Sequence, residues 1–284
     1  MARALGRIDG KRVLITGASS GIGAEIARQL GARGCKVALA ARRRERLEEV
    51  AEEVRKAGGE GLVVPCDVAD REGLTEALQK AEAELGGYDV ALLNAGLGSP
   101  TPVTRYDAGT VEHIFRVNVF GVVYAMEAIL PGFLERGTGT IAGVSSLAAY
   151  RGLPVSTAYG GSKAALTNMM EGMRIELAAQ GITLVVVSPG FVKSELTDKN
   201  KFEMPFMWPT DKAAARIIRG IEKGRREVAF PFPLVATLSL AKLFPNWLWD
   251  TLASTLSPRA GMVEKRAETT SKPEPTADAG ETDS

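Results

Sequence analysis

Two residues in this chain have the types and spacing of an acid/base pair. They are Tyr159 and Lys163, in the run Tyr159-Gly160-Gly161-Ser162-Lys163. Four residues apart on a helix, they share one face. A free tyrosine titrates near ~10, too high to trade protons near neutrality. A fixed ammonium beside it favours the phenolate and lowers that value. The spacing alone is common, so it gains meaning only from a site built around it. Asn118 lies between Val117 and Val119 in an apolar helical pattern. A buried amide there must find partners, either backbone carbonyls or a water chain. Ser145-Ser146 end an apolar run upstream of the tyrosine. The lone histidine, His113, has no Cys or His at ligand spacing, so no metal site is expected.

The elements that would position these groups begin with Lys11–Thr16, a short apolar strand. It breaks into Gly17-Ala18-Ser19-Ser20-Gly21-Ile22-Gly23 and continues as a helical pattern to Gly34. Glycines allow a sharp turn and close backbone approach to a phosphate, and the helix N-terminus offers free N–H groups to it. A second strand, Lys36–Ala41, ends without an acid and runs into Arg42-Arg43-Arg44. An acid at that place suits the ribose hydroxyls of NAD, whereas an arginine suits a 2′-phosphate. Arg42 therefore points to NADP(H) over NAD(H). Cations at a helix N-terminus oppose its dipole, which favours a ligand role for at least one of the three.

Further strands are expected at Gly61–Pro65, Asp89–Leu93, Thr140–Val144, Ile182–Val187 and Glu227–Phe230. Between them lie helices: Arg44–Ala57, one capped by Asp70, a long region over Thr110–Glu135, Ser156–Gln180, and Thr210–Lys223. Strand–helix alternation with short links predicts an α/β fold with a parallel, doubly wound sheet. Ligands in such sheets sit at the C-terminal strand ends. The glycine turn, Arg42, Asp67 with Val68, and Asn94-Ala95-Gly96 all fall there. Asp67 could accept a hydrogen bond from an adenine amino group. The small residues after Asn94 leave room for ribose and nicotinamide.

The chain has 284 residues, 45% of them apolar, and a formal net charge of +1. A core is affordable on that composition, and nothing draws the chain to nucleic acid. Met1–Lys11 lacks the apolar run of a secretory signal. No stretch supplies roughly 20 uninterrupted apolar residues. Cys35 and Cys66 are too far apart in this layout to bridge, and free thiols fit a reducing cytoplasm.

Taken together, these motifs resemble a classical short-chain dehydrogenase/reductase over roughly Gly10–Pro231. The resemblance rests on Thr16 through Gly23, Asn94-Ala95-Gly96, Asn118, Ser146, Tyr159, Lys163 and Pro189-Gly190. It implies a Rossmann-type domain over residues 10–231 with a seven-stranded parallel sheet. It also implies roles: Tyr159 as proton donor and acceptor, and Lys163 lowering its pKa and holding the nicotinamide ribose. Ser146, preferred to Ser145 because of its spacing to the tyrosine, would bond the substrate oxygen, and Asn118 would hold a relay water. Dimers and tetramers are usual in the family. Two departures stand out. Asn94-Ala95-Gly96 is shorter than the commoner Asn-Ala-Ala-Gly. The threonine usual after Pro-Gly is replaced by Phe191-Val192-Lys193-Ser194, in which Val192 and Ser194 would take over the carboxamide and hydroxyl contacts.

Residues 194–209 carry Phe202, Met204, Phe206, Met207 and Trp208, the composition of a lid over an apolar substrate. Residues 1–9 form an N-terminal arm. Residues 232–260 form an amphipathic helical extension, broken at Pro245, which packs on its own domain, on a second subunit or, over 232–256, on a membrane surface. Residues 261–284, rich in Pro, Glu, Thr, Asp and Ser, are expected to be a disordered tail. The expected activity is NADP(H)-dependent interconversion of an alcohol with a ketone or aldehyde, on a small lipophilic substrate. The rival readings are a 3-oxoacyl-thioester reductase and a catalytically silent NADP-binding regulator.

Overall fold

The computed structural model describes residues 4–198 and 203–256. Seven strands form one parallel sheet in the order β3-β2-β1-β4-β5-β6-β7. They are β1 (Arg12–Thr16), β2 (Lys36–Ala41), β3 (Glu60–Pro65), β4 (Val90–Leu93), β5 (Gly139–Val144), β6 (Ile182–Pro189) and β7 (Glu227–Phe230). Each central strand is a near-continuous apolar run because helices cover both faces of the sheet. Side chains alternate between those faces. Val13 and Ile15 of β1 pack beneath α1 (Gly21–Gly31), α2 (Arg44–Lys56) and α8 (Thr210–Glu222), with Leu30, Leu47 and Ile217. Leu14 points the other way, toward α3 (Arg71–Leu85), α5 (Gly121–Arg136) and α6 (Thr157–Ala179), with Leu78, Ile129 and Leu166. The chain order reverses between β1 and β4, and a crevice opens at such a switch point.

The far end of that strand pair is tied by charge. Asp89 accepts from the Arg12 backbone N–H at 2.9 Å and pairs with its guanidinium at 2.7 Å. Both side chains are mostly buried, so this charge-assisted contact is worth about 1–3 kcal/mol. It fixes β1 against β4 on the side opposite the crevice.

The long helical region expected over Thr110–Glu135 is broken in kind. Asp107 caps α4 (Ala108–Phe115), accepting from the Thr110 N–H at 2.7 Å. A π-helical turn, Arg116–Phe120, then leads into α5. Such turns insert one extra residue and re-aim the side chains around it. Asn118 lies inside this one and is fully buried. Among the described residues, Ala108–Arg136 is the one helical stretch long and apolar enough to cross a membrane. Glu112, Arg116 and Glu127 interrupt it, and Ile114, Ile129 and Phe133 are buried in the core.

The C-terminal extension forms α9 (Phe232–Ala241) and α10 (Asn246–Leu256), with the break at Lys242–Pro245. The expectation of amphipathic helices fails for α9. Thr237 and Ser239 are its only polar residues, so it has no polar face. Leu238 and Ala241 are buried, while Phe232, Leu240, Leu243 and Trp247 are exposed. Residues 257–260 of the extension and the tail at 261–284 lie outside the described residues.

Candidate active site

The glycine turn after β1 closes on itself tightly. Gly17 has φ +68°, and a Cβ on it would stand 2.8 Å from the Ala95 Cα. A Cβ on Gly23 would stand 2.5 Å from the Gly17 carbonyl oxygen. Asn94, at the end of β4, stitches the turn in place. Its Nδ2 donates to the carbonyls of Thr16 and Gly17 at 3.0 and 3.2 Å. The backbone N–H groups of Asn94 and Ala95 donate to the Thr16 hydroxyl. Ser20 gives α1 no side-chain cap, so its first-turn N–H groups stay open to an anion, with Ser19 and Ile22 beside them. Ser194 stands over the turn, 3.2 Å from where a Gly21 Cβ would be.

Two arginines flank this turn. Arg42 lies 3.9 Å from the Asp67 carboxylate. Asp67 also accepts from the Ala69 N–H, and Val68 packs against Gly121 of α5. Arg43 reaches further in than Arg42. Its Nη2 donates to the hydroxyls of Ser20 and Ser19 at 2.9 and 3.2 Å, and its Nη1 pairs with Glu195 at 3.0 Å. Glu195 opens the short helix α7 (Glu195–Asp198). Burial pushes its carboxyl up, but Arg43 and Ser20 more than offset this and hold it below its ordinary value. Sequence reasoning singled out Arg42 and passed over Arg43 and Glu195. The one signal for Arg43 was a run of cations at a helix N-terminus, where the dipole disfavours them.

On the other side of the crevice, α6 carries Tyr159 and Lys163. Lys163 is buried, and its ammonium donates to the Val144 carbonyl at 2.8 Å. The ammonium nitrogen is 6.0 Å from the Tyr159 ring centroid. Burial lowers the Lys163 pKa from 10.5 to about 8, so it stays an ammonium at pH 7. A Cβ on Gly96 would lie 3.2 Å from both the Lys163 Nζ and the Asn118 Oδ1. One on Gly98 would meet the Tyr159 ring at 3.3 Å. Asn118 holds this backbone in place: its Oδ1 accepts from the Leu97 N–H at 2.8 Å, and its Nδ2 donates to the Leu97 carbonyl and to Ser162.

The two serines after β5 divide the work. Ser145 donates to the Lys163 carbonyl and shares a bond with Thr167, so it fastens α6 to the sheet. Ser146 heads a 3-10 turn, Leu147–Ala149, and accepts from the Ala148 N–H at 3.1 Å. Gly160 has a packing reason, because a Cβ there would stand 3.0 Å from the Ala148 carbonyl oxygen. Gly161 meets only ordinary contact, so the ~1 kcal/mol that a helical glycine costs is not offset there.

After β6, Gly190 donates its N–H to the Phe230 carbonyl at 2.7 Å and leaves no room for a Cβ against Pro231. Val192 is buried and bridges to Trp208, which stacks on Phe230 at 4.9 Å. The Thr197 hydroxyl donates to the Val192 carbonyl and accepts from the Ser194 N–H, a contact the sequence did not suggest. Phe206 and Met207 are exposed. The residues singled out from the sequence thus come from the C-terminal ends of β1 to β6, with Asn118 from the π-helical turn and Tyr159 and Lys163 from α6, and they gather at that edge of the sheet. Open helix N–H groups, a cradle without room for a Cβ and flanking arginines together fit the phosphates of a dinucleotide.

Comparisons with known proteins agree with this geometry. The family model "short chain dehydrogenase" matches residues 11–204. An uncharacterized oxidoreductase of Myxococcus xanthus is 40% identical over 246 residues, 87% of this chain and 97% of the relative. Ketoacyl reductase HetN of Nostoc sp. is 30% identical over 269 residues, 92% and 94% of the two chains. A crystal structure of a short-chain type dehydrogenase/reductase from Mycobacterium marinum superposes with a TM-score of 0.72 at 28% identity, covering 80% of this chain and 96% of that one. The fold is also that of a 7α-hydroxysteroid dehydrogenase (TM-score 0.73, 23% identity). The chain belongs to the short-chain dehydrogenase/reductase family. It is an NAD(P)-dependent oxidoreductase acting on CH–OH groups.

The buried ammonium makes a pH-dependent stability prediction. The folded protein binds the Lys163 proton less tightly than the unfolded chain does, with a pKa of about 8 against 10.5. Holding that charge therefore destabilises the cofactor-free fold fully below pH 8, and relief comes as pH rises from 8 toward 10.5. Lys163→Met should be the more stable protein at pH 6–7, by on the order of 1–3 kcal/mol. Urea unfolding across pH 6–10.5 should show that gap closing; a gap independent of pH would contradict it.

Proposed function

We propose that the protein is an NADP(H)-preferring oxidoreductase that interconverts an alcohol with a ketone or aldehyde on a small lipophilic substrate. One observation carries the cofactor preference. β2 ends without an acid, and Arg42 and Arg43 stand at the mouth of the phosphate turn. A 2′-phosphate would find two cations there, and it would compete for them with the carboxylates they pair with in the cofactor-free chain, Asp67 and Glu195. Gly17, Ser19, Ser20, Gly21, Ile22 and Gly23 would hold the phosphates, Asp67 and Val68 the adenine. Asn94, Ala95 and Gly96, with Pro189, Gly190, Val192 and Ser194, would hold the nicotinamide half.

When bound, the nicotinamide supplies or accepts the hydride. The chain's own groups handle the proton and the orientation. Ser146 would hold the substrate oxygen, and Tyr159 would give or take its proton. Lys163, kept charged in a dry setting, favours the phenolate and would bind the nicotinamide ribose. Asn118 would serve a relay water, with its side chain already holding Leu97 in place. The intact set of Asn118, Ser146, Tyr159 and Lys163 argues against a silent NADP-binding regulator.

The lipophilic substrate class draws on residues 194–209, read as a lid over the crevice. Phe206 and Met207 are exposed on the described part of that lid, and Trp208 anchors it. A second reading, 3-oxoacyl-thioester reduction, is favoured by the similarity to a ketoacyl reductase along nearly the whole chain. A panel of ketones, aldehydes and 3-oxoacyl thioesters, read by nicotinamide absorbance, separates the two. The reading places the enzyme in the cytoplasm as a homodimer or homotetramer. Peripheral membrane contact through 232–256 draws on the exposed Phe232, Leu240, Leu243 and Trp247. Flotation with lipid vesicles tests that contact: binding lost on truncation after Pro231 supports it, and no binding by the full chain removes it.

The cofactor claim has its own test. Arg42→Ala and Arg43→Ala should each weaken NADPH binding by about 10-fold or more, the scale of a lost charge-assisted contact, while changing NADH binding far less. Equal weakening of the two cofactors would refute the 2′-phosphate role.

A further inference from the structure

The C-terminal extension lies beyond the matched family region, which ends at residue 204, yet it touches the candidate site at two places. The first is the start of α9. A Cβ on Gly190 would stand 3.0 Å from Leu234 and 2.9 Å from Pro231, so the extension packs directly on the Pro189-Gly190 turn. The second is the corner Tyr150-Arg151-Gly152. This corner sits in the segment that has Ser146 at one end and Tyr159 at the other.

Every residue of that corner is held from the extension. Lys242 lies 3.8 Å over the Tyr150 ring. Arg151 donates to the Phe244 carbonyl at 3.0 Å and to Asn246 at 3.2 Å, and its guanidinium lies 5.6 Å from the Trp249 ring centroid. The Trp249 indole N–H donates to the Gly152 carbonyl at 3.0 Å. The sheet holds the corner from below: the Tyr150 hydroxyl and Ser188 both donate to Glu227 of β7 at 2.8 Å.

The segment needs such support. Val155 has φ +60°, a left-handed conformation that a β-branched residue adopts only under constraint. One constraint is Thr101, whose N–H donates to the Val155 carbonyl at 2.9 Å and whose hydroxyl bonds Thr157. The extension holds the same segment at Gly152, three residues before Val155.

We propose that the α9–α10 pair is a positioning device for the reaction: Phe244, Asn246 and Trp249 grip the Arg151-Gly152 corner and so set Ser146 and Tyr159 against the substrate oxygen. This rests on the reading of Ser146 and Tyr159 given above. Arg151 and Trp249 are then positioning residues that act through the segment and touch neither substrate nor cofactor.

The test uses the full-length protein with Trp249→Ala, and with Trp247→Ala, an exposed neighbour on the same helix, as the control. Trp249→Ala should lower kcat by about 10-fold or more, because small misplacements of reacting groups are costly. It should also move the pH profile of kcat, leave the NADPH Kd within about twofold and speed amide hydrogen exchange over residues 147–158. Trp247→Ala should change none of these. Should Trp249→Ala fail to fold, Trp249→Phe, which keeps an aromatic ring near Arg151 and loses the indole N–H that binds Gly152, carries the same readouts. An unchanged kcat and pH profile, or unchanged exchange over 147–158, overturns the proposal. A wild-type protein that turned over no carbonyl would instead overturn the function reading, and the exchange measurement would still decide this one.

Discussion

The buried ammonium of Lys163 is the constraint around which the crevice is organised. A desolvated charge is unfavourable, and this one donates to the Val144 carbonyl at 2.8 Å. The surroundings keep it in place. Ser145 binds the backbone of the same residue, fixing α6 to β5. Gly96 leaves its face open to the ammonium and to Asn118. Asn118, set in a π-helical turn, holds Leu97 on both its N–H and its carbonyl. The dry setting moves the Lys163 pKa down to about 8 and still leaves it charged at neutral pH. A charge of that kind acts strongly on a neighbouring phenol because little water screens it.

The opposite half of the crevice is organised by anion chemistry. The first turn of α1 is uncapped, and Arg43 spans from Ser19 and Ser20 to Glu195. Cation and carboxylate therefore meet over the turn where a phosphate would lie. The chain that follows β6 and the end of β2 are joined through this pair. Thr197 and Ser194 tighten the same corner from within the chain that follows β6. In the proposed reading the phosphates draw on the ends of β1 and β2, and proton transfer draws on α6 and the turn after β5.

Much of this was legible in the sequence because it is local. Apolar runs bounded by glycine or asparagine marked the strands, and the turn after Thr16 announced its own geometry. Asp70 read correctly as a cap, accepting from Gly73 at 3.3 Å. What escaped was non-local or lacked a compositional sign. The π turn around Asn118 has the composition of an ordinary apolar helix. Arg42 and Arg43 look alike in sequence, and only the folded path brings Arg43 to Ser20 and Glu195. Gly160 and Gly161 look alike in sequence, and only the Ala148 carbonyl in the folded chain separates them. The grip of Trp249 on Gly152 joins residues 97 apart, which no local pattern encodes. The apolar character of α9 was read as one face, but its sequence leaves no polar side at all.

The measurement that bears most directly on the account is Tyr159→Phe, which removes one oxygen and leaves the ring against Gly98. The account predicts that carbonyl-dependent NADPH oxidation falls by about a thousand-fold, within the range for a lost general acid/base, while NADPH binds as tightly as before. Turnover retained within a few-fold of wild type would contradict it.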